Sequence, residues 1–144
     1  MHEQTKYVES AGLFRRFAAM IYDGFLLAAL WFVITGIIVA VNGGGALSPK
    51  QSQLILLPAI ITVTTIFYTW FWTHGGQTLG MRTWKIRLVT SKGIEISRNQ
   101  ALLRLLSAVL STACCGIGYI WLLIDKKDCT WHDHLSQTRI VKLD

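Results

Sequence analysis

Chemistry in this chain would be sought first at Arg15, Arg16 and Asp23, which lead into a charge-free apolar run from Gly24 to Val41. An ionisable group at membrane depth costs roughly 2.5 kcal/mol or more, so it needs a partner or a task. Arg16 and Asp23 are seven residues apart, which on a helix puts them near one face, about 10.5 Å apart along the axis. That is too far for a direct ion pair. A functional reading makes Asp23 a proton or cation site beside an arginine. A structural reading makes it a fixed anion holding Arg82, Arg98 or Arg104 of a later segment against the bundle.

Two further clusters invite chemistry. Gly76-Gln77-Thr78-Leu79-Gly80 has the small residues of a backbone that turns sharply or approaches another helix closely. It suits a re-entrant loop along an ion path or a tight connection, with Gln77 and Thr78 capping exposed amides in either case. His132-Asp133-His134 suggests a metal site or a catalytic dyad, but neighbours on a helix diverge and no nucleophile accompanies them. Asp133 fits better as a helix N-terminal anion or a salt-bridge partner for Arg82 or Arg104. Cys114, Cys115 and Cys129 give neither an even disulfide framework nor a metal-ligand spacing. No phosphate loop or nucleophile elbow occurs, so neither catalysis, a cofactor nor a metal is expected.

The elements that must position these residues are apolar and long. Gly24–Val41, Leu54–Trp72 and Leu105–Ile124 hold 18 to 20 uncharged residues each, enough to cross a hydrocarbon core about 30 Å thick. A chain of 144 residues, 52 % hydrophobic and 15 % charged, is one integral membrane domain, not a soluble globule. The net charge of +6 lies in residues flanking apolar segments, which points to anionic lipid head groups and not to nucleic acid. The first apolar run exceeds a signal-peptide core, so the helix should remain in the mature protein, and Arg15-Arg16 is only a faint twin-arginine likeness.

Residues 1–12 are a polar lead-in, and helices are expected over about 13–41, 54–73 and 99–125. If Arg16 sits at head-group level, Asp23 lies roughly 10 Å inside; a span starting at Gly24 leaves it at the interface. Asn42-Gly43-Gly44-Gly45 and Ser48-Pro49 mark a loop over 42–53, so the first two helices form an antiparallel hairpin. Trp70, Trp72, Trp121 and Trp131 read as interface anchors. In the segment over 75–98, Lys85–Val89 and Ile94–Ile96 alternate around Ser91-Lys92-Gly93 as a small β-hairpin, and a strand over 138–143 could join it. Of the basic residues, three precede Asp23, one follows the first helix, six lie between the second and third apolar runs and four come last. The positive-inside rule places the N-terminus and the 73–104 segment in the cytoplasm. Three full spans would then leave the last strand across the bilayer from its partner. A bend at Cys114-Cys115-Gly116-Ile117-Gly118 removes the conflict; a straight third span is the other reading.

Ala11–Asp23, Gly76–Arg82, Trp121–Asp125 and Trp131–Thr138 together resemble the RDD family of bacterial membrane proteins, over about residues 11–142. The resemblance implies an arginine at Arg16 (or Arg15) and an aspartate at Asp23, with the second aspartate at Asp133 or Asp125. Met81 stands where similar sequences often have Lys, and Ser136-Gln137 replaces the usual Ala-Gly. The family has no established general activity, and transport is the usual suggestion. The expectation is an all-α membrane bundle with a small cytoplasmic β cap, multi-pass in the bacterial inner membrane, N-terminus inside, working as a homo-oligomer or with a membrane partner. Its activity would be ion or small-solute transport, proton- or cation-coupled, through Arg15, Arg16, Asp23 and Asp133, with Gly76, Gln77, Thr78, Gly80 and Arg82 along the path or packing beside it. The alternative is a membrane scaffold or accessory protein in which the same charges are structural.

Overall fold

Leu13 opens a helix that runs unbroken to Val41 (α1, Leu13–Val41), because nothing before Asn42-Gly43-Gly44 can end it. The structure is a computed structural model that describes residues 9–114, 121, 124 and 130–143. A second long helix, α2 (Pro49–Thr73), starts sooner than the turn-forming residues suggest. Ser48 and Gln51 make a capping box at its start, Gln51 N donating to Ser48 Oγ at 3.3 Å and Ser48 N to Gln51 Oε1 at 2.9 Å. The connection expected over 42–53 therefore shortens to 42–48. Within α2, Ser52–Leu56 widens to a π turn just before Pro58. Proline has no N–H to donate and its ring crowds the carbonyl four residues back, so the wider turn makes room for it.

Both helices are long and apolar enough to cross a membrane, at 29 and 25 residues. Trp31 Nε1 donates to Thr64 Oγ1 at 3.0 Å and ties them together part-way along. The remaining elements among the described residues are α3 (Leu79–Thr83), β1 (Ile86–Thr90), α4 (Arg98–Ala113), α5 (Trp131–Ser136) and β2 (Thr138–Lys142).

β1 and β2 pair antiparallel, with Leu88 opposite Ile140 and Thr90 opposite Thr138. The expected hairpin between Lys85–Val89 and Ile94–Ile96 does not form. Both edges of β1 are already taken: β2 holds one, and on the other Leu88 N donates to Gly76 O at 2.7 Å and Gln77 Nε2 to Ile86 O at 2.8 Å. Ile94 instead closes a tight turn, its carbonyl accepting Thr90 N at 2.9 Å, and Ile96 drops into the core. The polar lead-in contributes more than expected. Ser10 bridges Val141 on the outer edge of β2, with Ala11 N to Ile140 O at 2.9 Å and Lys142 N to Glu9 O at 3.0 Å, so α1 springs directly from the sheet.

The third apolar run differs as well. α4 starts at Ser97, which forms a capping box with Gln100, and ends at Ala113, so one helix over 99–125 is not formed. Sixteen residues make a helix of about 24 Å, short of a span. Of the expected bend, Cys115 to Gly118 lie outside the described residues. The core sits where the sheet meets the three long helices, in Ala11, Ala19, Trp72, Met81, Ile86, Leu88, Ala101 and Ile140.

Candidate functional site

Asp133 of α5 joins α1 and α4 beside the sheet. Thr130 caps α5, and the Asp133 carboxylate reaches back to accept the Thr130 amide at 3.0 Å, a capping box that fixes the side chain's direction. From there Oδ2 accepts Arg16 Nη1 of α1 at 2.6 Å and Oδ1 accepts Arg104 Nη1 of α4 at 2.5 Å. Arg16 Nε donates to Ala11 O at 2.8 Å, and Arg104 Nη1 also reaches Thr138 Oγ1 of β2 at 2.8 Å. The Arg104 guanidinium lies 5.6 Å from the Trp72 ring centre, a cation–π contact with α2. All three charged groups are buried. Burial opposes ionisation of Asp133, but the Arg104 and Arg16 charges outweigh it and hold the carboxyl well below the usual carboxylate range.

His132 is buried beside this triad. Burial first, and the Arg104 charge second, push its imidazole down to about 3, with Asp133 pulling the other way. The unfolded ring takes up its proton near pH 6.5, so stability should fall as pH drops below that value, by about 1.4 kcal/mol per unit, until the folded ring titrates. We expect His132→Gln to lose about 2 kcal/mol less than wild type between pH 6 and pH 4. Parallel denaturant curves at the two pH values measure this; an equal loss of stability in both proteins would contradict it.

Asp23, two turns further along α1, meets neither arginine. Its carboxylate accepts Thr78 Oγ1 at 2.5 Å and Gly80 N at 2.9 Å. The expected pairing with Arg82, Arg98 or Arg104 is not made, and among the described residues no cation lies within ion-pair distance of it. Thr78 caps α3, accepting Met81 N at 3.2 Å, so Asp23 holds the first turn of α3. Gly80 allows this, since a Cβ there would collide with the Ala19 carbonyl and the Asp23 carboxylate. Gly76 has φ +70°, and a Cβ on it would strike the Leu88 carbonyl. The Gly76–Gly80 stretch is thus a tight connection onto β1 and α1. Arg15 Nη1 donates to Trp84 O at 3.1 Å, and Arg82 is exposed.

Between α1, α2 and α4 lies a cavity of about 720 Å³. Arg16, Asp23, Arg104 and His132 line it, with Leu27, Trp31, Tyr68, Leu105, Ala108 and Val109 among its largely apolar walls. Gln77, Thr78 and Asp133 are not among its described lining residues.

This arrangement of Arg16, Asp23 and Asp133 falls within a matched family pattern: the model described as RDD family covers residues 10–137. The chain belongs to the RDD family. A relative in this range is the uncharacterized protein YxaI of Bacillus subtilis (strain 168), 28 % identical over 146 residues, covering 91 % of this chain and 96 % of YxaI. No solved structure matches the chain. With two apolar helices of spanning length, this RDD protein is a membrane protein. Of the two candidates for the second aspartate, Asp133 meets Arg16, and Asp125 lies outside the described residues.

Trp72, read from the sequence as an interface anchor, is instead buried under Arg104, and the pairing of Glu9–Ala11 with the sheet edge was not foreseen. The departure at Ser136-Gln137 has structural consequences. Ser136 Oγ contacts Thr138 Oγ1 at 2.7 Å, and Gln137 ends α5 at φ +54°, a left-handed conformation that glycine adopts more easily. Gln137→Gly should therefore stabilise the RDD fold by about 1 kcal/mol, read as a higher denaturant midpoint at an unchanged slope.

Proposed function

We propose that this protein is a proton- or cation-coupled transporter of the bacterial inner membrane, with Asp23 as the carboxylate that takes up and releases the coupling ion. One observation carries the reading: Asp23 is buried, lines the cavity between the helices, and is held by a hydroxyl and an amide with no balancing cation among the described residues. Asp133 shows the contrast, since two guanidiniums consume its charge. The Arg16–Asp133–Arg104 triad is then a staple, and Arg16 acts on Asp23 only at a distance. The N-terminus is cytoplasmic by the positive-inside rule, as is the sheet it joins, beside anionic head groups. Two long helices and one short one, among the described residues, are few to line a path across a bilayer, so the working form is an oligomer or a complex with another membrane protein.

Asp23→Asn tests the reading, because asparagine keeps an oxygen for the Gly80 amide and removes the charge. In proteoliposomes under imposed Na⁺, K⁺ and proton gradients, the folded variant should lose at least nine-tenths of the flux. Wild-type flux in Asp23→Asn would end the proposal. The triad favours a second reading, a membrane scaffold in which every charge is structural. It predicts no flux from wild type, lower abundance of Asp23→Asn and a copurifying partner.

A further inference from the structure

A bare cation or proton would not need the cavity found here. Its volume of about 720 Å³ lies in the range of small-molecule sites, and its walls are almost entirely hydrocarbon and aromatic. Along α1 it extends from Arg16 to Trp31, which at 1.5 Å per residue is about 22 Å, longer than one leaflet's share of the hydrocarbon core. Such a slot fits one extended acyl chain.

The end near the sheet is different. Arg104 is almost fully buried, and Asp133 and Thr138 share its Nη1. Among the described residues its Nε and Nη2 donate to nothing, although the side chain lines the cavity. Among the described residues, Arg16 and Arg104 bring two positive charges to this end and share one carboxylate, Asp133. Asp23 sits about 10 Å further along α1 from Arg16, held by Thr78 and Gly80. An arginine with spare donors beside a hydrocarbon slot is a receptor for an anionic head on a long tail.

We propose that this cavity binds a single-chain amphiphile with an anionic head group, carboxylate or phosphate, its head on Arg104 Nε and Nη2 and its chain along α1, α2 and α4 toward Trp31. The claim concerns binding and stands whether or not the protein transports ions.

The test is a native mass-spectrometric titration of the full chain, released from maltoside micelles, with palmitate, 1-palmitoyl lysophosphatidate and uncharged hexadecanol. One anionic ligand should bind per chain at least tenfold more tightly than hexadecanol, and the tighter of the two anions identifies the head group. Thr112→Phe, on the slot wall two turns beyond Arg104, should weaken binding of the preferred anion at least tenfold at an unchanged melting temperature. Ala113→Leu on the same wall serves if that variant does not fold. Arg104→Lys keeps a charge beside Asp133 but removes the fork of donors, and should erase the preference for anion over alcohol. Asp23→Asn should bind like wild type, so failure of the transport reading and failure of this one are separable. Binding of hexadecanol as tight as that of the anions, no binding at all, or wild-type binding by folded wall variants would each overturn the proposal.

Discussion

Asp133→Ala should destabilise the protein by about 3–5 kcal/mol, the largest single loss expected from any one substitution here, because it strands two buried guanidiniums at once. The same change removes the acceptor for the Thr130 amide, so the start of α5 loosens with it. Denaturant unfolding in maltoside micelles, followed by the fluorescence of the six tryptophans, measures the loss. The cost arises from unpaired charge and not from missing contact area. A triple variant, Arg16→Met with Asp133→Leu and Arg104→Met, should therefore be more stable than Asp133→Ala alone, since an apolar cluster has no stranded charge. Acid does not imitate the mutation. The folded carboxyl titrates below its unfolded value near 3.9, so its contribution is complete above that pH and is lost only as pH falls further toward the folded pKa. A loss under 1 kcal/mol for Asp133→Ala, or a triple variant weaker than the single, would show that the triad does not hold the elements together.

Much of this was legible in the residues, for physical reasons that differ from element to element. α1 and α2 announce themselves because a spanning helix needs about 20 apolar residues, a pattern few other structures share. Asp133 was read as a helix N-terminal anion or a partner for Arg82 or Arg104, whereas the capping boxes at Thr130-x-x-Asp133 and Ser97-x-x-Gln100 went unread although both have the spacing. That Asp133 also takes Arg16, 117 positions away, was not readable, because α1 reaches it only through the Glu9–Ala11 edge of the sheet. The strand order failed for a related reason. Alternation in Lys85–Val89 and Ile94–Ile96 reports half-buried chain but not which edge is free, and Gly76 and Gln77 had already taken one. Asp23 was singled out as a charge at the edge of an apolar run, its depth left open; its partners are a hydroxyl and an amide, and uncharged donors leave no signature at a distance in sequence.

Gly80→Ala should cost about 3 kcal/mol or more, although it adds a single methyl group. The new Cβ would point into the Ala19 carbonyl, part of the α1 helix backbone, so relief must come from α3 moving away. Overpacking of this kind costs about 1–3 kcal/mol, and separation also breaks the Thr78 and Gly80 hydrogen bonds to the carboxylate, worth about 1.5–3 kcal/mol each where the acceptor is charged. Gly24→Ala is the matched control, since its Cβ meets nothing within 4 Å and alanine favours the helix. It should leave stability unchanged or raise it. The pair separates position from chemistry at Asp23: Gly80→Ala keeps the carboxylate and removes its holders, whereas Asp23→Asn keeps the holders and removes the charge. If transport depends on a carboxylate fixed in place, both variants lose flux, but only Gly80→Ala loses stability as well. A Gly80→Ala protein as stable as wild type would mean that α3 does not press on α1, and the geometry that assigns Asp23 its role would go with it.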